Sequence, residues 1–235
     1  MTIHILTTGT SRGIGAAIAA AFASDDVRFV GHSTSGSDTC IAADLSSPAA
    51  TRSLWWEAMG RLDGRIDILI NNAGIFDAAP IDQADDAWLA DWERTMRINL
   101  LAAAELSRLA VLHFRESGGG RIVNIASRAA YRGDSPDHWH YAASKAGMVA
   151  MTKSIARGYA RDNILAFAVC PGFTITGMAE EYLASRGGEA LLADIPLGRV
   201  AEPNEVAATV RFLALEAPPS MTGAVIDING ASYVR

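Results

Sequence analysis

The chain has little with which to hold a nucleic acid, a membrane or a metal. Its 235 residues carry only 20 lysines and arginines against 26 acids, a formal charge of −6. A nucleic-acid groove or an anionic bilayer surface needs a basic patch, so this balance argues against both. A membrane-spanning helix needs about 20 consecutive apolar residues, and the most apolar helical stretch, Ile14 to Ala23, is far shorter. Cysteine is scarce: Cys40 and Cys170 are the only two. Each falls at the end of an expected strand, which predicts buried free thiols and neither a disulfide nor a metal site. The opening Met1-Thr-Ile-His-Ile-Leu6 lacks the charged start of a leader segment and reads as a strand from its second residue. A cytoplasmic setting fits all of this. Half of the residues are apolar, enough for a sizeable core, and no linker, repeat or low-complexity tract divides the chain. One domain over residues 1–235 is expected.

What is present is alternation. Strands are expected at Ile3–Thr8, Val27–His32, Cys40–Ala43, Ile66–Ile70, from Gly118-Gly-Gly-Arg121 to Ser127, at Leu165–Cys170 and at Ala224–Ile228. Between them lie helical stretches: one to about Ser24, one after Ser46-Ser47-Pro48, one from the acidic Asp82–Glu93 segment to about His113, one carrying Tyr141, and one from Pro203 to about Glu216. One or two short helices are expected within Ala179–Leu192. Leu54, Trp55, Trp56 and Met59 read as packing residues, and Trp88 and Trp92 as core anchors. Such alternation calls for an α/β, single-domain, doubly wound Rossmann fold, with a parallel seven-stranded sheet and helices on both faces. Ligands then bind at the carboxyl ends of the strands.

Every chemically suggestive motif falls at such an end. Thr8-Gly9-Thr10-Ser11-Arg12-Gly13-Ile14-Gly15 follows the first strand and opens a helix, the arrangement that takes a phosphate on free backbone N–H groups. Asp44-Leu45 ends the third strand, where Asp44 would accept from an adenine amino group or cap the next helix. Asn71-Asn72-Ala73-Gly74 ends the fourth, offering small and amide residues to a ribose and a nicotinamide edge. Asn99 lies in the apolar run Ile98-Asn-Leu-Leu and needs a partner there. Ser127 ends the fifth strand. Tyr141 and Lys145 stand four apart on one helix face. An ammonium beside a phenol is expected to pull its pKa down from about 10. The loop from Arg128 to His140 is polar with bulky tips at His138, Trp139 and His140.

Jointly these motifs, with Pro171-Gly172, Thr174 and Thr176 after the sixth strand and Thr222-Gly223 before the last, resemble the classical short-chain dehydrogenase/reductase family. Ile195-Pro-Leu-Gly-Arg199 and Glu202-Pro-Asn-Glu205 resemble its 3-oxoacyl-acyl-carrier-protein reductase branch. The resemblance implies a catalytic tetrad of Asn99, Ser127, Tyr141 and Lys145. It implies a nicotinamide cofactor held by Gly9, Ser11, Arg12, Gly13, Ile14, Gly15, Ser33, Thr34, Asp44, Leu45, Asn72, Ala73, Gly74, Tyr141, Lys145, Pro171, Gly172, Thr174 and Thr176. It also implies a homotetramer or homodimer and a small-molecule carbonyl or alcohol substrate. The Ser127–Tyr141 interval is one residue longer than the family's usual one, and the tip at 137–140 is bulkier. Both departures fall where substrate is chosen, so Ser127, His138, Trp139, Phe173 and a loop at about 177–199 are the expected substrate contacts. An NAD-selective carboxylate would end the second strand. Ser33 stands there instead, and Arg12, Thr34 and His32 can face a 2′-phosphate, so NADP(H) is expected over NAD(H). The expected activity is ketone reduction or alcohol oxidation. A dehydratase, an epimerase or a cofactor-binding regulator on the same fold is the alternative.

Overall fold

The computed structural model describes residues 2–23, 26–175 and 188–235. All seven expected strands form: β1 (Ile3–Thr7), β2 (Val27–Ser33), β3 (Cys40–Ala42), β4 (Ile68–Asn71), β5 (Gly120–Ile125), β6 (Ile164–Pro171) and β7 (Val225–Ile228). They make one parallel sheet in the order β3-β2-β1-β4-β5-β6-β7. The winding direction reverses between β1 and β4. Chain leaving those two strands parts in opposite directions, and the crevice between them is where a ligand fits.

The helices are α1 (Gly13–Ala21), α2 (Pro48–Arg61), α3 (Asp85–Met96), α4 (Ala102–Ser117), α5 (Ala129–Arg132), α6 (Trp139–Tyr159), α7 (Gly188–Ala193) and α8 (Pro203–Leu215). The strand residues sort them into layers by the period of two. Leu6, Leu69, Ile122 and Ala166 pack with Leu54 and Trp55 of α2, Leu106 and Phe114 of α4, and Ile155 of α6. Their neighbours Ile5, Ile68, Ile70, Val123, Leu165 and Phe167 face the other way, onto Ile18 of α1 and Val206, Val210 and Leu213 of α8. Strands this apolar on both faces can exist only with helices on both sides.

Some local expectations give way. The helix expected from Asp82 to His113 is two helices joined by a π-helical turn at Arg97–Leu101. The segment after Ser127 is not one loop, because α5 occupies its first half and Trp139 and His140 already belong to α6. Trp55 is core, but Trp56 is 63% exposed. Trp88 and Trp92 are half-buried and tilted against each other at 5.3 Å, a surface pair and not core anchors. Cys170 is a buried free thiol, whereas Cys40 is partly exposed.

The two strands flanking the crevice are clipped together by one hydroxyl. Thr8 Oγ1 accepts from both Asn72 N and Ala73 N, each at 3.0 Å. Thr8 is 2% exposed, so no water replaces that acceptor cheaply. Thr8→Val removes the acceptor at almost constant shape and is expected to destabilise by about 2 kcal/mol in urea denaturation, with Thr8→Ser retaining most of the stability.

Candidate active site

The turn after β1 closes only because glycines fill it. Gly9 and Gly13 sit at φ 71° and 55°, which glycine adopts without strain. A Cβ at Gly9 would stand 2.8 Å from the Ala73 Cα, and one at Gly15 would run into the Gly9 carbonyl oxygen. Asn72 completes the closure, its Nδ2 donating to the carbonyls of Thr8 at 3.0 Å and Gly9 at 2.8 Å. That amide, expected to meet the cofactor, is committed to the turn; Asn72 is its strut. Arg12 precedes α1 in extended backbone with no side-chain cap, which leaves the first-turn N–H groups of α1 for an anion. Ser11 and Arg12 are exposed at the rim, and Arg12 forms no ion pair among the described residues. A cradle that a Cβ would fill, facing an uncapped helix start, fits a dinucleotide pyrophosphate.

The adenosine end lies beside the ends of β2 and β3. Ser33 is buried and its Oγ accepts from Gly36 N at 3.0 Å, while Thr34 is exposed. Asp44 is exposed. Its Oδ1 accepts from Ser46 N at 2.9 Å, and that hydrogen bond holds its carboxyl below the usual range. Ser47, not Asp44, caps α2, accepting from Ala50 N at 3.3 Å. Asp44 therefore keeps acceptor capacity for an adenine amino group, above buried Leu45. His32 is not a donor toward the crevice. Its ring is 3% exposed and bonded to Gly9 and Ala43.

The carboxyl ends of β4, β5 and β6 bring the tetrad residues together. Lys145 is 3% exposed and its Nζ donates to the Ile125 carbonyl at 2.8 Å. It stands 5.7 Å from the centre of the Tyr141 ring. Ser127 is buried just past β5, its Oγ accepting from Ala129 N at 3.1 Å, and its hydroxyl lies near enough to the Tyr141 phenol to act on its pKa. Asn99 is fully buried on the π turn and clasps the Ile75 backbone, accepting from its N–H at 2.8 Å and donating to its carbonyl at 3.0 Å. Nδ2 also donates to Ser144 Oγ at 3.3 Å. Gly74 lies between these groups, where a Cβ would come within 3.3 Å of Asn99 Oδ1 and 3.4 Å of Lys145 Nζ. Ala73 and Gly74 thus floor the crevice, and Ile14 of α1 is half-buried at its opposite side.

The expected downward shift of Tyr141 is overturned. Burial pushes its phenol up to about 12, with the Ser127 hydrogen bond pulling the other way. Burial also lowers Lys145 to about 8. Near neutrality the phenol therefore holds its proton and the lysine is still mostly charged.

At the mouth, His138 stacks on Phe76 at 3.9 Å and 9°, and Phe76 meets Tyr141 edge-on at 4.7 Å. Phe76 was not singled out in the sequence; its signal was its place two residues past Gly74. Trp139 turns elsewhere. Two residues on a helix differ by about 200°, and Trp139 lines a surface groove with Ile81, Trp88 and Leu89 instead of Tyr141's face. Phe173 is 39% exposed, with the Arg128 guanidinium 4.8 Å over its ring. Arg128 and Arg132 both hold Asp194, at 3.4 and 2.6 Å, tying α5 to the chain after α7. Pro171 and Gly172 end β6, and Thr174 is buried with its hydroxyl donating to the Gly172 carbonyl at 3.3 Å. Thr176 and residues 177–187 of the expected substrate loop lie outside the described residues.

Lys145 gives a stability test. Its folded pKa, about 8, lies below its ordinary 10.5, so the unfolded chain holds the extra proton between those values. Stability then rises with pH through that window, and the penalty for burying the charge is fully present below it. Lys145→Met is expected to melt at least as high as the wild type at pH 7. The gap between the two should narrow by pH 9.5, and scanning calorimetry at the two pH values measures it.

Residues 9–231 match the family model described as Enoyl-(Acyl carrier protein) reductase. A 3-oxoacyl-(acyl-carrier-protein) reductase of Thermotoga maritima is 39% identical over 172 residues, covering 73% of this chain and 68% of the relative. D-threitol dehydrogenase of Mycolicibacterium smegmatis is 33% identical over 248 residues, 98% of this chain and 92% of its own. A 3-oxoacyl-(acyl-carrier-protein) reductase of Vibrio cholerae is 32% identical over 241 residues, 97% and 96% of the two chains. With the glycine turn, the strand order and the Ser127–Tyr141–Lys145 group in place, the chain belongs to the short-chain dehydrogenase/reductase family, whose members are oxidoreductases acting on CH–OH and C=O groups.

Proposed function

We propose that the protein is an NADPH-dependent ketoreductase of the 3-oxoacyl reductase kind, working reversibly between a carbonyl and a secondary alcohol. One observation carries this: a half-buried phenol that holds its proton, a buried hydroxyl near it and a buried ammonium converge beside a glycine cradle fit for a dinucleotide. The cofactor, when bound, supplies the hydride. Gly9, Gly13 and Gly15 would admit its pyrophosphate, Asp44 its adenine, and Lys145 with the Ala73-Gly74 floor its nicotinamide half.

The residues of the chain do the proton work. Ser127 Oγ orients the substrate oxygen, and Tyr141 Oη gives its proton to that oxygen as negative charge develops there. A phenol held at about 12 is fully loaded at neutral pH, as a proton donor must be. Releasing that proton from a buried site is costly, and Lys145 offsets the cost. The ammonium, 5.7 Å from the ring centre, favours the phenolate by Coulomb attraction. Asn99 acts through Ile75, fixing the segment that carries Phe76. Phe76 and His138 form an aromatic wall that excludes water from one side of the phenol.

Cofactor choice follows from the end of β2. No carboxylate stands there to accept from a ribose hydroxyl, and Arg12 is exposed at the rim, suited to a 2′-phosphate. A second reading, an NAD-linked alcohol dehydrogenase acting on polyols, is favoured by the likeness to D-threitol dehydrogenase. We also propose assembly into a homodimer or homotetramer through α4 and α6, supported by the exposed Leu101 and Leu112; light scattering after size exclusion reads it.

Two variants test the reading with acetoacetyl-coenzyme A as a 3-oxoacyl thioester. Tyr141→Phe should keep the fold and lower turnover by about 10²–10⁴-fold; retention of a tenth of the wild-type rate would remove Tyr141 as the acid. Kinetics with both cofactors should favour NADPH, and Ser33→Asp should move the preference toward NADH. Efficient oxidation of threitol with NAD, and no reduction of the thioester, would establish the second reading in place of the first.

A further inference from the structure

The glycine turn is held from β1 and β4 on one side and from β2 and β3 on the other, where Thr10 Oγ1 meets Cys40 Sγ at 3.2 Å. His32, near the end of β2, reaches the turn from that second side with both ring nitrogens engaged. Gly9 N donates to Nδ1 at 3.1 Å, and Nε2 lies 2.9 Å from the Ala43 carbonyl oxygen. A carbonyl can only accept and a backbone N–H can only donate. The two neighbours therefore dictate one form of the ring: neutral, protonated on Nε2, with a bare lone pair on Nδ1. The His32 main chain makes a further tie, its carbonyl accepting from Thr10 N at 2.8 Å. The ring is 3% exposed, so water does not compete for either nitrogen.

We propose that His32 is a positioning residue for the cofactor, its neutral Nε2–H ring setting the separation between the glycine turn and the Ala43–Asp44 end of β3. This rests on the nicotinamide-dinucleotide reading above. The turn would hold the pyrophosphate and Asp44 the adenine; Thr10 Oγ1 meets Cys40 Sγ at the start of β3 at 3.2 Å, and the imidazole ties the turn to the Ala43–Asp44 end. Gly9 cannot find its partner elsewhere without leaving φ 71°, where its carbonyl meets the Asn72 amide. Gly31 beside it carries no side chain, and a Cβ there would run into Thr10 Oγ1. The turn thus lies directly against β2, and the imidazole spans the remaining gap to β3. A second proton on the ring would set N–H against the Gly9 N–H; burial, by lowering the pKa of His32, opposes that, although the Ala43 carbonyl pulls the other way.

Two measurements on the full chain test the proposal. Long-range ¹⁵N–¹H spectra of the ligand-free protein at pH 7 are expected to show His32 as the neutral Nε2–H tautomer. An imidazolium or an Nδ1–H form would overturn the proposal without reference to any ligand. Fluorescence titration with NADPH then compares wild type with His32→Leu, His32→Asn and His32→Gln. The Leu variant should bind about tenfold more weakly, the worth of one lost buried hydrogen bond. His32→Asn, whose Oδ1 can accept from Gly9, should recover more of that loss than His32→Gln. In kinetics the KM for cofactor should rise by a larger factor than kcat falls. The adenosine half alone, 2′-phospho-ADP-ribose, should show the same order of affinities, because it spans both supports. Equal NADPH affinity in wild type and His32→Leu, or in all three variants, would overturn the proposal alone. A wild type that binds neither NADPH nor NADH would overturn the cofactor reading and the proposal together. Should the Leu variant fail to fold, the Asn–Gln comparison and the wild-type spectra decide.

Discussion

The structure depends on how closely the chain leaving β1 approaches the chain leaving β4. At Gly15, any side chain would meet the Gly9 carbonyl; at Gly9, any side chain would meet the Ala73 backbone. Because neither is there, Asn72 can put one amide between the carbonyls of Thr8 and Gly9, and Thr8 can take two N–H groups from the β4 side. This closure fixes where α1 begins and therefore where its uncapped N-terminus points. It also fixes Ala73 and Gly74 as a floor low enough for Asn99 and Lys145 to come up beside it. A parallel sheet supplies the crevice in general terms. The absence of two side chains makes it narrow.

Burial is the second determinant, and it acts on the two ionisable members of the site in opposite senses. Tyr141 rises to about 12 and Lys145 falls to about 8, each away from its charged form. The folded protein thus holds an ammonium in a place that disfavours it, and the Ile125 carbonyl is its only hydrogen-bond partner among the described residues. Such a group is poorly explained by stability and well explained by a phenolate that forms transiently at its side.

Much of this is legible in the sequence. The strands were readable because both faces of a central parallel strand are apolar, and the glycine turn and Tyr141–Lys145 pair because backbone sterics and helical period demand specific residues at fixed spacing. What escaped was set by three-dimensional context. Phe76 reads as one more apolar residue after Gly74, and nothing local says that its edge faces a phenol. His32 reads as a strand residue that donates outward; only the position of Gly9, 23 residues away, makes it an acceptor. Asn71 and Asn124 join Ser107 and Thr152 in a buried chain of hydrogen bonds from β4 to α6, a partnership set by packing and not by any local pattern. Trp139 was assigned to the substrate mouth from its nearness to Tyr141 in sequence, whereas the helix turns it to another face.

The π turn at Arg97–Leu101 explains why the Asn99 side chain meets the Ile75 backbone. No glycine or proline marks this break, so the sequence reads as one continuous helix. The extra residue in the turn widens it locally, a distortion that helices keep mainly where function uses it. Here it directs Asn99 away from the α4 packing face and onto Ile75, where its amide satisfies both the N–H and the carbonyl of one residue. The neighbouring Leu100 lies against Gly147 of α6, where a Cβ would come within 2.8 Å of its Cδ2. Asn99 and Leu100 therefore lock the 74–76 segment and α6 to the same turn. The first carries Phe76, the second Tyr141, and the edge-on contact between those rings is the outcome. The Asn99 amide thus holds the Ile75 backbone and, through Ser144 Oγ, the helix that carries Tyr141.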